Sequence, residues 1–364
     1  MDAVLGKMGR NFLIAAFVPA LAFASLSLFV FGPILPKAVV DQLTISLAPL
    51  DQPVLLLLMT TVVIGFSLHS LNTTMYKLIE GYLLLEKFPA ISNFQKRKVK
   101  REYAKIVFLE KLYKHLRERD EDPHVIEKVR NQLYYLSANY QRNYPSNLNF
   151  VMPTRFGNAF RALETYPRQR YNMDAVLLWP RLLHVIPDPY HSKLDESNNR
   201  LAFLVNCSVL SLGMALLSGF AAIYQLLMLR CAQTGKEYLL YFIPVVQEDA
   251  IKYRQNAFLY LLGAAIMMAL FAVFYRAAIP LVVQYGDLVK STFDLFRFSL
   301  IDALRLKRPH NYDEETALWD NLSMFIGHGL LAENVYLVPF DYEATAQSAL
   351  ERNEESQEDS DGEE

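Results

Sequence analysis

For 29 residues, from 201 to 229, the chain carries no charged side chain, and that run limits its fold more than any other feature of the 364-residue sequence. A helix needs about 20 predominantly apolar residues to cross the hydrocarbon core of a bilayer, where each backbone N–H and C=O must be satisfied within the helix. Three more segments have the same character: residues 11–31, without a charge; residues 53–71; and residues 257–283, whose one charge is Arg276. The expected fold class is therefore all-α, with four transmembrane helices. With 52% apolar and 20% charged residues overall, the chain also needs an aqueous part.

Within the first segment, Ala22 and Ala24 form an A-x-A pattern like that of a signal cleavage site. Apolar residues run on through Leu26, Leu28, Phe29 and Phe31, too far for a signal peptide, so a retained anchor is expected. Ala16, Ala20 and Ala24 recur every four residues, as do Cys207, Ser211, Ala215 and Gly219 in the third segment. Such ladders put small side chains on one helix face and favour close helix contact. Cys207 and Cys231 are the only cysteines, which leaves no disulfide framework or Cys-based zinc site, and both read as small packing residues.

The polar remainder has helical periodicity. The second span is expected to continue as a helix through Lys77 and Glu80 to a stop near Pro89. Residues 95–119 carry Val99, Tyr103, Ile106, Leu109, Leu112, Tyr113 and Leu116 on one stripe, and a second helix follows the DEDP turn from His124 to about Arg142. A short connection between two such helices predicts an antiparallel hairpin. Its basic start, KRKVKR at 96–101, is read as a solvated or lipid-facing helix end, the nucleic-acid patch being the competing reading. In residues 154–183, Thr154 is the expected cap of a helix that buries Phe156, Phe160 and Leu163 and ends at Pro167, with a second short helix at 173–179. Beyond the fourth span, residues 286–304 form an amphipathic helix closed by Pro309, followed by a helix near 314–326. Residues 351–364 hold eight acids and one base, too polar to fold alone; their −7 leaves about +5 for the rest of a chain whose net charge is −2.

Lys and Arg number 22 in residues 72–200, one in 32–52 and four in 230–256. Positive charge marks the cytoplasmic side, which places both termini and the large middle region in the cytoplasm, with Arg276 near enough to that face to reach the headgroups. The four bases of 230–256 run against this orientation. The expected organisation is spans one and two in 1–84, a cytoplasmic helical domain with the hairpin in 85–200, spans three and four in 201–285, cytoplasmic helices in 286–350 and an acidic disordered tail in 351–364.

Four blocks, LNTTMYKLIEGY (71–82), FGNAFRALETYPRQRYNMDAVLLWPRL (156–182), FDLFRFSLIDAL (293–304) and EETALWDNL (314–322), resemble a group of bacterial four-span integral membrane proteins with no established activity. The resemblance implies a bacterial inner (cell) membrane location and brings no catalytic residue.

Within 154–183, Arg155, Arg161, Arg168, Arg170 and Arg181 alternate with Glu164 and Asp174 and with Tyr166, Tyr171 and Trp179. Guanidinium forks in that density suit a phosphate, a nucleotide or a lipid headgroup; with two acids at hand as partners, the favoured reading is an ion-pair and aromatic network that locks the cytoplasmic domain onto the spans or onto a neighbouring subunit. His184, Asp188, His191 and Asp195 have metal-binding side chains, but Pro187 and Pro189 interrupt the helix their spacing would need, so no metal and no cofactor is expected. Asn72 and Glu80, with His69, fall at the cytoplasmic end of span two, and Asp294 and Arg297 follow span four as an i, i+3 pair; these are read as interface anchors or the mouth of a pathway. Phosphate-binding glycine loops, dinucleotide fingerprints, nucleophile elbows and HExxH helices are absent from the sequence, and the spans carry no acidic residue. The expectation is a homo-oligomeric, non-enzymatic membrane component whose cytoplasmic module senses or binds a protein partner. The alternatives are a pore lined by Ser67, Ser70, Asn206, Ser208 and Gln225, and a lipid-headgroup enzyme.

Overall fold

The structure is a computed structural model that describes residues 12–31, 52–82, 89–234, 238–239, 243–244, 250–328 and 338. The described chain is all-α apart from one two-residue antiparallel pairing, Tyr238–Leu239 with Ile243–Pro244, which falls in the apolar island of the 230–256 segment. It divides into two compact units: Met1–Leu83 with Ser197–Leu281, and Leu84–Glu196 with Val282–Glu364. The acidic tail and the connection over 32–51 lie outside the described residues.

In the first unit, helix α1 (Val18–Phe31) is entered through a π-helical turn, Leu13–Phe17. Pro19 accounts for the turn: it has no N–H to offer the Ala15 carbonyl four residues back, and its ring crowds that carbonyl, so the ladder widens just upstream. Helix α2 (Gln52–Ser70) bends at Leu71 into α3 (Asn72–Glu80). Gly81 ends α3 at φ 91°, a left-handed conformation that glycine adopts without strain, so this helix stops well before Pro89. Ala16 and Ala20 pack on Leu68, and Phe23 of α1 meets Met214, Ala215 and Met267. Ala24, Cys207 and Ser211 are buried as well, so these small residues make contacts within one chain, whereas a Cβ at Gly219 would meet nothing within 4 Å.

Among the described residues, two helices are long and apolar enough to cross a membrane: α8 (Asp188–Gln233) and α9 (Ala250–Ala303). At 1.5 Å per residue they measure about 70 and 80 Å, more than twice the roughly 30 Å hydrocarbon core. In α8, 56% of the apolar window is buried against the chain, whereas in α9 only 17% is, so the chain covers little of the apolar stretch of α9. Residues 13–27 of the π-turn and α1, and residues 57–70 of α2, are shorter apolar helices.

In the second unit, α4 (Pro89–Glu118) and α5 (Pro123–Asn143) form the hairpin. Asp122 caps α5 by accepting from His124 N at 2.9 Å, with Pro123 in the first turn, where its missing N–H costs nothing. Val99, Tyr140 and Val151 form a buried cluster at the hairpin, and burial pushes the Tyr140 hydroxyl up to about 12. Next come α6 (Arg155–Tyr171) and α7 (Ala175–Leu183); after α9 comes α10 (Tyr312–His328), which packs on both α6 and α7.

Three prolines act differently from the expectation. Helix α6 runs through Pro167 to Tyr171, because the ring removes one hydrogen bond near the end of a helix held elsewhere by packing; Asn172, at φ 61°, closes it by donating to Arg168 O at 3.1 Å. Pro187 and Pro189 start α8 instead of breaking it, since the first turn needs no N–H donors. Residues 286–304 are not a separate helix: α9 continues through Pro280 and Gly286 to Ala303. Gly286 serves a close approach, because a Cβ there would lie 3.3 Å from Leu163 Cβ of α6.

Candidate functional site

The 154–183 stretch is positioned from its first turn. Thr154 Oγ1 accepts from Gly157 N at 2.9 Å. Asn158, fully buried, accepts from Met152 N at 2.8 Å through Oδ1 and donates to the carbonyls of Met152 (3.0 Å) and Thr154 (2.8 Å). Asn158 is not among the residues expected from the sequence; its one local signal is an asparagine in a first turn with apolar neighbours.

From this base α6 presents Tyr166 and Tyr171, whose hydroxyls donate to the Asp294 carboxylate at 3.0 and 2.7 Å. Burial, and then the hydrogen bond to Asp294, push the Tyr171 hydroxyl well above its ordinary range. Arg297 lies 4.4 Å over the Tyr171 ring, gives one Nη to the Asp294 main-chain carbonyl and donates Nε to Glu315 at 2.7 Å. Glu315 also accepts from Trp319 Nε1 at 3.3 Å. Asp294 and Arg297 thus belong to one cluster, but Arg297 gives its Nε to Glu315 and the Asp294 carboxylate takes the two tyrosines. Lys290 donates to Gln141 O at 3.1 Å and sits 5.5 Å from the Tyr166 ring; burial pulls its pKa down.

The arginines of the stretch go to separate partners. Arg161 Nη1 lies 3.0 Å from Glu164 Oε2, close enough for charge pairing but off the line of a hydrogen bond. Arg168 is 3.7 Å from Asp174, whose carboxylate caps α7 by accepting from Val176 N (3.0 Å) and Leu177 N (3.1 Å). Arg170 is 5.9 Å over the Tyr166 ring, and Arg181 donates to Leu177 O at 2.7 Å. Trp179 packs on Phe293 with ring centres 5.8 Å apart. Together with Phe160, Tyr285 and Glu164 these rings line a cavity of about 230 Å³. Burial raises the Glu164 pKa, with Arg161 opposing.

The histidine and aspartate group is split at its first member. The His184 main-chain N–H closes α7 by donating to Arg181 O at 3.2 Å, while His191 and Asp195 pair on α8 at 3.2 Å. Among the described residues no three His, Cys, Asp or Glu side chains group as metal ligands.

The first unit holds a different arrangement. His69, Asn72 and Asn206, named in the sequence for separate reasons, line one pocket of about 510 Å³ with Asn198, Asn199 and the ring of Phe12. Asn206 Nδ2 donates to Ala15 O at 2.7 Å, supplying the hydrogen that Pro19 lacks. The Oδ1 atoms of Asn206 and Asn72 are buried without a hydrogen-bond partner. Tyr76 reaches Asn198 Oδ1 at 3.4 Å. Glu80 is buried on α3 and does not line this pocket. The Ser67 and Ser208 hydroxyls return to carbonyls of their own helices, Val63 O and Leu204 O, both at 2.7 Å.

No protein-family model, curated protein or solved structure matches the chain.

Proposed function

We propose that the protein is a four-span integral component of a bacterial cell membrane, with both termini and the second unit in the cytoplasm, and that it works by binding rather than by catalysis. One observation carries the reading: apolar side chains are exposed on every long helix of the first unit. Ile14 and Val18 stand out around the start of α1, Val62, Val63 and Phe66 on α2, Leu217 and Phe220 on α8, and Phe258 and Leu259 on α9. In water such a continuous apolar surface would be a liability; in lipid it is the expected exterior. Arg276 on α9 is exposed, as a side chain reaching for headgroups must be.

The second unit supports a binding role because the charges of the Asp294, Arg297 and Glu315 cluster are taken up by neighbouring protein groups. Its hairpin turns Tyr134 and Tyr135 outward at 77% and 70% exposure, with Phe108 outward on the facing helix. Exposed aromatic residues of this kind anchor protein interfaces, and a second copy of the chain is the proposed partner. The pore alternative draws no support from Ser67 and Ser208, whose hydroxyls are bonded to their own helices.

A photo-crosslinking residue at position 134 or 135, in native membranes, tests the role. The expected product is an adduct at twice the chain mass. A chain that is monomeric in detergent and gives no adduct overturns the oligomeric reading.

A further inference from the structure

The first turns of α4 carry their charge differently from the rest of that helix. Residues 89–101 hold five bases, Lys96, Arg97, Lys98, Lys100 and Arg101, and no acid. Farther along, Lys105 pairs with Glu102 at 3.0 Å and Lys114 with Glu110 at 3.4 Å, the usual arrangement on a solvated helix. None of the five bases has an ion-pair partner among the described residues. Lys96 and Lys100, and likewise Arg97 and Arg101, stand four residues apart, so like charges are neighbours on the helix surface. That repulsion is relieved by negative charge from outside the chain.

The same turns expose apolar side chains: Phe94 is 67% and Ile91 40% exposed. Ile91, Phe94, Arg97, Lys98 and Arg101 recur at steps of three and four residues, which places them on one helix face. Val99 shows which face it is. It is fully buried, and the exposed Arg97 and Arg101, two positions to either side, lie on the opposite side of the helix. An unpaired basic face edged by aromatic and aliphatic side chains fits an anionic bilayer surface, whose phosphates take the bases and whose headgroup boundary takes the apolar groups. A nucleic acid would also meet the bases, but its phosphate backbone leaves Ile91 without a counterpart.

We infer that this face of α4 docks on anionic membrane lipid, with Arg97, Lys98 and Arg101 on the phosphates and Ile91 and Phe94 in the headgroup boundary. The inference rests on the proposed placement of the second unit on the cytoplasmic side of a membrane.

The test uses the full chain with Cys207→Ala and Cys231→Ser, in nanodiscs, which leave both membrane faces open. A spin label on Phe94→Cys reads the α4 face, and in a separate sample a label on Phe220→Cys of α8 reads the membrane placement. Collision with a neutral nickel chelate, whose concentration at the surface does not follow lipid charge, is compared in phosphatidylcholine alone and in equal parts of phosphatidylcholine and phosphatidylglycerol. Chelate accessibility at position 94 is expected to fall several-fold with the glycerol lipid and to return in the double variant Arg97→Glu, Arg101→Glu. The milder Arg97→Gln, Arg101→Gln pair, at positions exposed in the fold, is expected to lie between. Polyuridylate added to the choline nanodiscs is expected to leave position 94 accessible. Three results overturn the inference while a shielded Phe220 position keeps the membrane reading: the same accessibility in both lipids, whether high or, as a contact between copies would give, low; shielding that survives the charge reversal; or shielding by polyuridylate as strong as by the glycerol lipid. Free chelate contact at position 220 overturns the membrane reading itself, and the inference with it.

Discussion

In the second unit, Asp294 receives Tyr166 and Tyr171, and Arg297 is divided between Glu315 and the Asp294 main chain, so every charge of this cluster ends on another protein group, although Glu164 Oε2 and Gln95 Oε1 elsewhere in the unit are buried without a hydrogen-bond partner. In the first unit, Asn206 gives its N–H to Ala15 and leaves its oxygen open, and Asn72 beside the same pocket does likewise with its oxygen. The contrast separates two uses of polarity inside a helical protein. A closed network fixes one packing and has little left to offer a ligand. An open acceptor in an apolar setting is a standing cost that only an added donor removes.

Breaking the closed network is expected to have the largest effect. Arg297→Met leaves Glu315, 8% exposed at its side chain, with Trp319 as its hydrogen-bond donor. Removing one partner of a buried pair costs about 3–5 kcal/mol. The two tryptophans of the chain, Trp179 and Trp319, both lie in the second unit, so their fluorescence during denaturation reports that unit alone. A loss below about 1 kcal/mol, the range of a surface pair, would show that the pair is not buried in solution. Asn158→Ala strands the Met152 N–H and the Met152 carbonyl, while Thr154 O keeps the Asn158 main-chain N–H, and a cost of about 2–3 kcal/mol is expected by the same readout. Thr154→Ala removes a helix cap, worth about 1 kcal/mol.

The smallest effect has the opposite sign. Burial raises the Glu164 pKa above that of a free glutamate, and Arg161 offsets this only in part. The folded chain therefore holds that proton more tightly than the unfolded chain, so the contribution to stability is fully present below the free carboxyl range and is lost as pH rises through the raised value. Glu164→Gln, neutral at every pH, is expected to melt slightly higher than the parent at pH 7, with the gain vanishing near and below about pH 4. A variant that melts lower at pH 7 would mean that the charge pairing with Arg161 outweighs burial.

The all-α class was legible because the 201–229 run and the stripe over 95–119 each admit one periodicity, and because Thr154 and the DEDP turn carry their caps in sequence. Prolines were over-read. Pro167 falls where a helix can spare a bond, and Pro187 and Pro189 fall where none is needed, so the local signal was the same and only tertiary packing distinguished the outcomes. The partners of Asp294 were out of reach for another reason: Tyr166 and Tyr171 lie 128 and 123 residues away, beyond any spacing rule. Asn72, His69 and Asn206 were each visible as polar residues near span ends. Their convergence depends on α2 and α8 lining one pocket, which sequence spacing does not encode.

The central claim is that the apolar faces of α1, α2, α8 and α9 all meet lipid. Spin labels placed singly at Ile14, Val63, Phe220, Phe258 and Tyr134, in a Cys207→Ala, Cys231→Ser chain reconstituted in liposomes, test it through collision with oxygen and with a water-soluble nickel chelate. Oxygen is expected to dominate at the first four positions and the chelate at Tyr134. Chelate contact at Ile14 and Val63 as free as at Tyr134, with Phe220 and Phe258 still shielded, would contradict the four-span architecture and leave only α8 and α9 in the membrane.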